Sequence, residues 1–325
     1  MASLPKAPSA NKRPFRMIKG VSSLADLRDG NAVYGYPGDY YGRVYFVNNI
    51  TGNANFDGLS WNRPFDEVST AITASEAWRA LAAGTTNDYQ RNVIYIQGTG
   101  TSYSAISALP NYCDMIGIGA DPRGDGAGIV VIKGTGADAA AGNARGLGLY
   151  NIQFAVSGTA DTYCGLDATI LLRSVIDNCT FMGSTASTTQ QLAGLRVTTS
   201  FAGNVIRNCL FGGTNGTHAM GIGMSIGNIV ANNNLIENNI FLGIVSGVLI
   251  HESANDNGTV IKNNVFSSHL GETQPTTGGI TAGAHSILVG NYAVGADAII
   301  GASTTQTLGN VAVATGNGIW ETEMA

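Results

Sequence analysis

Ile206-Arg207-Asn208-Cys209-Leu210-Phe211 is one copy of a short pattern, aliphatic-x-Asn-x-x-Phe, whose recurrence decides the fold. Other copies are Leu149-Asn151-Phe154, Ile176-Asn178-Phe181, Ile236-Asn238-Phe241 and Ile261-Asn263-Phe266. The repeat asparagines Asn151, Asn178, Asn208, Asn238 and Asn263 advance by 27, 30, 30 and 25 residues, a spacing that marks a solenoid. Degenerate copies follow at Val289-Gly290-Asn291 and Leu308-Gly309-Asn310, without the aromatic residue, as terminal coils often are.

Between these copies lies a second register, in which Gly opens a short apolar strand: Gly194-Leu195, Gly221-Ile222, Gly247-Val248 and Gly279-Ile280. Each period therefore holds at least two strands. Strands this short are not stable alone, but stacked at about 4.8 Å on the coil before them every backbone group finds a partner. The repeat Asn suits a sharp turn, because it tolerates left-handed backbone and can bond its counterparts in neighbouring coils. The Ile and Phe positions then form internal columns, and Cys179 and Cys209 stack in adjacent coils. Leucine-rich repeats are excluded by the missing helical arcs and Leu signature.

Composition agrees with this reading. The chain has 325 residues, 44 Gly against 8 Pro, 12% charged residues and a mean hydropathy of +0.10. Such a chain is rich in turns yet carries enough apolar surface to fold. Residues 1–20 hold Lys6, Lys12, Arg13, Arg16 and Lys19 and no acid, so all 22 Asp and Glu lie in the body that follows. A basic arm attached to an acidic body suits docking on an anionic partner. No signal-peptide core or membrane-spanning run is visible, so folding in a cytosol and no membrane insertion are expected. In that compartment Cys113, Cys164, Cys179 and Cys209 stay reduced, and the sequons at Asn49, Asn178, Asn215 and Asn257 stay unmodified.

The expected fold is all-β: a right-handed, single-stranded parallel β-helix with an extended N-terminal arm (1–42) and a capping α-helix. The solenoid occupies 43–325, with an N-terminal capping module at 43–100, coils at 101–315 and a tail at 316–325. Within the module, Val44 to Val47 reads as a strand and residues 67–83 as an amphipathic helix that closes the open end of the coil stack. Val93 to Ile96 and Ile129 to Ile132 read as buried parallel strands.

Arg43-Val-Tyr-Phe-Val-Asn48, Thr51-Gly-Asn53, Asp57-Gly-Leu-Ser-Trp-Asn-Arg-Pro-Phe65 and Val93-Ile-Tyr-Ile-Gln-Gly98 together resemble the N-terminal module of pectate-lyase-like right-handed β-helix proteins, particularly those carried by tailed bacteriophages and metagenomic viruses. The similarity of pattern spans residues 43–315. It implies either a carbohydrate-active enzyme, with Asp, Glu, Arg or Lys clustered on the outer coil faces, or a virion component without chemistry.

The residues favour the second class. From residue 181 onward the acids are Asp256, Asp297, Glu237, Glu252, Glu272, Glu321 and Glu323, which do not recur at the repeat interval. Arg207 and Lys262 share the position before the repeat Asn, which suggests a solvated turn face. The paired Asp-Asp strand, Gly-His-Gly turn and Arg-x-Lys strand of hydrolase relatives are missing. The best residual catalytic cluster is Asp161, Asp167, Arg173 and Asp177 within one coil; His251-Glu252 with Asp256 is weaker. Tyr112, Tyr163 and Tyr292 are candidates to stack on sugar rings. Arg123-Gly124-Asp125 reads as a turn.

The expectation is a non-enzymatic virion structural protein, a capsid decoration or accessory β-helix on the virion surface, made in the host cytoplasm. Its expected partners are a capsid or tail protein, bound through the arm, and further copies of itself in a trimer. No cofactor, metal or nucleic acid is expected. The alternative is a tailspike-type depolymerase or glycan-binding module that meets a host-surface glycan.

Overall fold

The computed structural model describes residues 42–80, 91–124, 126–158, 162–183, 191–212, 220–226, 230–242, 250–251, 258–267, 280–282, 286–294, 299–301, 306–313 and 319–321. Lys6, Lys12, Arg13, Arg16 and Lys19 of the arm lie outside these residues. So do Asp161, Glu252, Asp256 and the sequons at Asn215 and Asn257.

The chain is a parallel β-helix, right-handed as parallel crossover connections are. Three sheets run along it. Among the described residues sheet A has ten strands, beginning with Val44–Val47 and Asn92–Gln97 and passing through Val175–Asp177, Val205–Arg207, Leu235–Glu237 and Val260–Lys262. Sheet B also has ten and includes Thr180–Gly183, Leu210–Gly212, Ile240–Leu242 and Val265–Ser267. Sheet C has seven on its main path, with Cys164–Leu172, Gln191–Ala202 and Met220–Ile226 as its longer strands, and an eighth, Val230–Asn232, pairs off that path with Gln191–Ala202. The capping segment and the coils share sheet A, since Val44–Val47 and Asn92–Gln97 are its first two rungs. In the segment expected as a tail, Ile319–Glu321 forms a strand antiparallel to Val311–Val313. The strand expected at 129–132 begins at Val131 and runs to Thr135, after buried Ile129 and Val130.

The repeat builds the corner between sheets A and B. Its aliphatic residue lies on the inner face of sheet A, where Leu149, Ile176, Ile206, Ile236 and Ile261 pair in register. Its Phe lies on the inner face of sheet B. Phe154, Phe181, Phe211, Phe241 and Phe266 form one stack with centroids 5.2, 5.0, 4.8 and 4.9 Å apart. The repeat Asn between them is left-handed in every copy, with φ of 57°, 52°, 54°, 55° and 54° at Asn151, Asn178, Asn208, Asn238 and Asn263. At Gly290 and Gly309 the same turn position has φ of 60° and 61°.

The principal asparagine ladder stands one residue further on, at a position the expected pattern did not single out. Asn239, Asn264, Asn291 and Asn310 are buried inside the corner. In each coil the side-chain oxygen accepts from the main-chain and side-chain nitrogens of the coil before it: Asn264 Oδ1 accepts from Asn239 N and Nδ2 at 3.0 Å each. Each Nδ2 reaches back to an interior carbonyl, as from Asn264 to Ile236 O at 3.1 Å. Cys179 and Cys209 hold this position in the upstream coils, and the Cys209 amide donates to Asn239 Oδ1 at 2.9 Å. The asparagines of the two degenerate copies, Asn291 and Asn310, thus belong to this inner ladder and not to the left-handed column. A second ladder lines the corner between sheets C and A, where Ser174 N donates to Asn204 Oδ1 (2.9 Å) and Asn204 N to Asn234 Oδ1 (3.0 Å). These bonds satisfy amides that the turns withdraw from the sheets.

Sheet C corrects the expected second register. Leu195 pairs with Met224 and then Ile250 and Ile280, so Ile222, which was expected to align with Leu195, instead pairs with Ala193. Gly194 is required for a different reason: a Cβ there would lie 2.7 Å from Phe211 Cδ1, against the Phe stack.

The single helix among the described residues, α1 (Val68–Ala80), is the expected cap, formed between the first two rungs of sheet A. Val68, Ala71 and Ile72 join the interior cluster with Tyr45, Val47 and Phe65. Tyr45 Oη donates to Ala74 O (3.1 Å) and Asn92 Nδ2 to Ser75 Oγ (2.7 Å), tying the cap to the first coils. Outside sheet A the loop 48–65 covers Phe46 with Trp61, their ring centroids 4.8 Å apart.

Candidate functional site

Outward-facing positions are where a β-helix can carry chemistry, because inward positions are filled by the apolar columns. On sheet A one outer column reads Tyr150, Asp177, Arg207, Glu237 and Lys262 in register. The charge alternates from coil to coil. Arg207 Nε and Nη2 both sit 2.8 Å from Asp177 Oδ2, and Asn208 Nδ2 donates to Asp177 Oδ1 at 2.8 Å, so both carboxylate oxygens are occupied. Lys262 Nζ lies 2.9 Å from Glu237. Arg207 and Lys262, expected on a solvated turn face, are thus half-exposed members of an ion-pair ladder. Each such pair contributes roughly 0.2–1 kcal/mol, through strand register as much as through strength.

Sheet C repeats the device once. Asp167 pairs in register with Arg196, which grips both oxygens, with Nε to Oδ1 at 2.8 Å. Asp138 faces this pair and accepts from the Cys164 amide at 2.6 Å. Burial pushes its carboxyl up, and the Asp167 charge adds to the shift against the opposing pull of that hydrogen bond and Arg196. Arg91 engages Asp114 in the same inter-coil manner, with Nε to Oδ2 at 2.6 Å.

The expected cluster Asp161, Asp167, Arg173 and Asp177 is therefore dispersed among its described members. Asp167 stands on sheet C and Asp177 on sheet A, each held by a different arginine of the next coil, while Arg173 is the left-handed residue of the corner between them. Of the aromatic candidates, Tyr292 is 43% exposed on the outside of sheet B, Tyr163 packs partly on the interior cluster, and Tyr112 lies under the Arg79 guanidinium at 5.1 Å. Tyr292 follows Leu210, Ile240 and Val265 in one outer column, the last two of these 38% and 39% exposed. Arg123 pairs with Asp121 in an exposed turn.

All four cysteines are buried free thiols. Burial is the leading cause that pushes each thiol up, to about 12 at Cys164 and Cys179. Among the described residues no three His, Cys, Asp or Glu side chains converge as a metal site. Among the described residues no helix is long and apolar enough to cross a membrane.

No protein-family model matches the chain, and no curated protein matches it. Among solved structures, it is similar to the pectin methylesterase from Aspergillus niger in deglycosylated form, with a TM-score of 0.45 and 12% identity over 86% of this chain and 89% of that one. The parallel β-helix stands on the strand register described above.

Proposed function

We propose that the chain is a non-enzymatic structural protein of a tailed-phage particle. In this reading a rigid β-helix is held to a capsid or tail protein through the basic arm Lys6 to Lys19 and is assembled as a trimer on the virion surface, after synthesis in the host cytoplasm. The observation that carries the reading is the engagement of the outer-face carboxylates. Asp114, Asp167, Asp177 and Glu237 each meet a cation of an adjacent coil, and at Asp167 and Asp177 both oxygens are occupied. A general acid or base needs a carboxyl group free to exchange a proton with substrate, and a nucleophile needs an open approach. These carboxylates serve the strand register instead.

Two further features support the same reading. The module at 43–98 resembles those carried by tailed bacteriophages. The exposed column Ile240, Val265 and Tyr292 offers other copies an apolar strip of the kind assemblies cover. The test is to incubate the purified chain with a panel of neutral and acidic bacterial surface polysaccharides and to assay for new reducing ends and unsaturated products. No release is expected. Release that Asp167→Asn or Asp177→Asn abolishes, with folding intact, overturns the reading in favour of a depolymerase.

A further inference from the structure

The corner between sheets C and A is built on an alternation. Its left-handed residue is Tyr112, Gly146, Arg173, Gly203, Asn233 and Gly258 in successive coils, with φ of 45°, 62°, 51°, 67°, 56° and 71°. Side chains and glycines take turns because each side chain leans over the glycine of the next coil. A Cβ on Gly146 would lie 2.8 Å from Tyr112 Cδ1, and one on Gly258 3.0 Å from Asn233 Oδ1. Four of the amides here are already engaged: those of Tyr112, Gly146, Arg173 and Gly203 donate to the carbonyls of Arg145, Leu172, Ala202 and Asn232 at 2.7–2.9 Å. At these four positions ligand chemistry is left to the side chains.

Between those side chains is a cavity of about 410 Å³ lined by residues of five successive coils, among them Tyr112, Arg145, Arg173, Gly203, Asn232 and Asn233. Its lining contains no Asp or Glu. Arg145 and Arg173 enter no ion pair among the described residues, whereas Arg91, Arg196 and Arg207 on the neighbouring strands are all paired. In a body that carries every acid of the chain, two uncompensated guanidiniums at one cavity are a departure. A guanidinium has only donors, in a planar fork that matches an oxyanion, and coils about 4.8 Å apart can bring two forks to one anionic group. The Tyr112 ring, backed by Arg79 at 5.1 Å, supplies a flat wall. The volume falls within the range of small-molecule pockets, about 300–1,000 Å³.

We propose that this corner cavity binds a small ligand through a terminal oxyanion, a carboxylate, phosphate or sulfate group, seated between Arg145 and Arg173. The site is independent of the carboxylates that carry the structural reading, so either can fail without the other. The test is isothermal titration calorimetry on the full chain at low ionic strength, with inorganic phosphate, sulfate and malonate as separate probes. Saturable binding of one probe per chain is expected from at least one, and the responding probe identifies the anion class. Arg173→Gln and Arg145→Gln should each weaken that binding by about tenfold or more. Arg63→Gln, which removes a guanidinium paired with Asp57 in the loop over sheet A, should leave it unchanged. Circular dichroism and melting confirm that each variant folds. No saturable binding by any probe, or equal weakening in all three variants, overturns the proposal.

Discussion

Replacing either of two adjacent asparagines separates the two roles of the A–B corner. Asn264 makes four side-chain hydrogen bonds: its oxygen accepts from Asn239 N and Nδ2, and its nitrogen donates to Ile236 O and Asn291 Oδ1, all at 3.0–3.1 Å. In Asn264→Ala, Asn239 Nδ2 keeps Ile206 O and Asn291 Oδ1 keeps the Asn264 amide. The buried Asn239 amide is orphaned and Ile236 O loses its side-chain donor. At about 1–3 kcal/mol for each of these two groups, the loss sums to roughly 2–6 kcal/mol. Asn263→Gly removes the neighbouring side chain but keeps a residue at ease at φ 54°, as Gly290 and Gly309 are at the same turn in later coils. It should cost no more than about 1 kcal/mol. The assay is native-state hydrogen exchange by mass spectrometry on the peptide covering 236–241, with thermal melting alongside. Asn264→Ala should lose protection at the Asn239 amide and melt well below wild type, while Asn263→Gly stays close to it. Equal protection and equal melting in the two variants would refute the ladder argument.

Other perturbations probe the interior and the charges. Phe211→Ala removes a fully buried ring from the middle of the stack and should cost about 3–5 kcal/mol. Phe266→Ala should cost less, since no aromatic residue follows it in the register, where Ala293 is its partner; chemical denaturation of both variants checks the order. Asp138 has a carboxyl pushed up by burial, so its contribution to stability is fully present below the ordinary carboxylate range, about pH 4, and is lost as pH rises through its folded value. Asp138→Asn, which keeps an acceptor for the Cys164 amide, should therefore melt higher than wild type at neutral pH. That difference should vanish in acid, as melting across a pH series will show. The four thiols should resist a thiol-reactive dye at mildly alkaline pH until denaturant is added, and labelling of the folded protein would contradict their burial.

What could be read from the residues, and what could not, follows from the geometry of stacking. The Ile and Phe columns and the left-handed Asn were legible because one coil position tolerates one kind of residue, and the pattern repeats it five times. The inner ladder was hidden because Cys179 and Cys209 stand where Asn239 and Asn264 stand later, so no single residue type marks the column. The displaced register on sheet C has a different cause. A slip of two residues keeps every side chain on its own face, so hydrophobic alternation does not penalise it. The bulge between Val197 and Ser200 and the changing connections then set the pairing. The outer charge column escaped a search for recurring acids because Asp177, Arg207, Glu237 and Lys262 alternate in sign, so like charges recur only every second coil. The corner cavity depends on glycines alternating with Tyr112, Arg173 and Asn233, which is visible only once the coils are aligned.

The proposal that this β-helix is a built-in part of a virus particle is tested most directly by quantitative mass spectrometry of particles purified from the source of the sequence. The account predicts a fixed copy number relative to the major capsid protein, retained after washing in high salt. Absence of the chain from the particles, with the protein recovered in the soluble lysate, would contradict it.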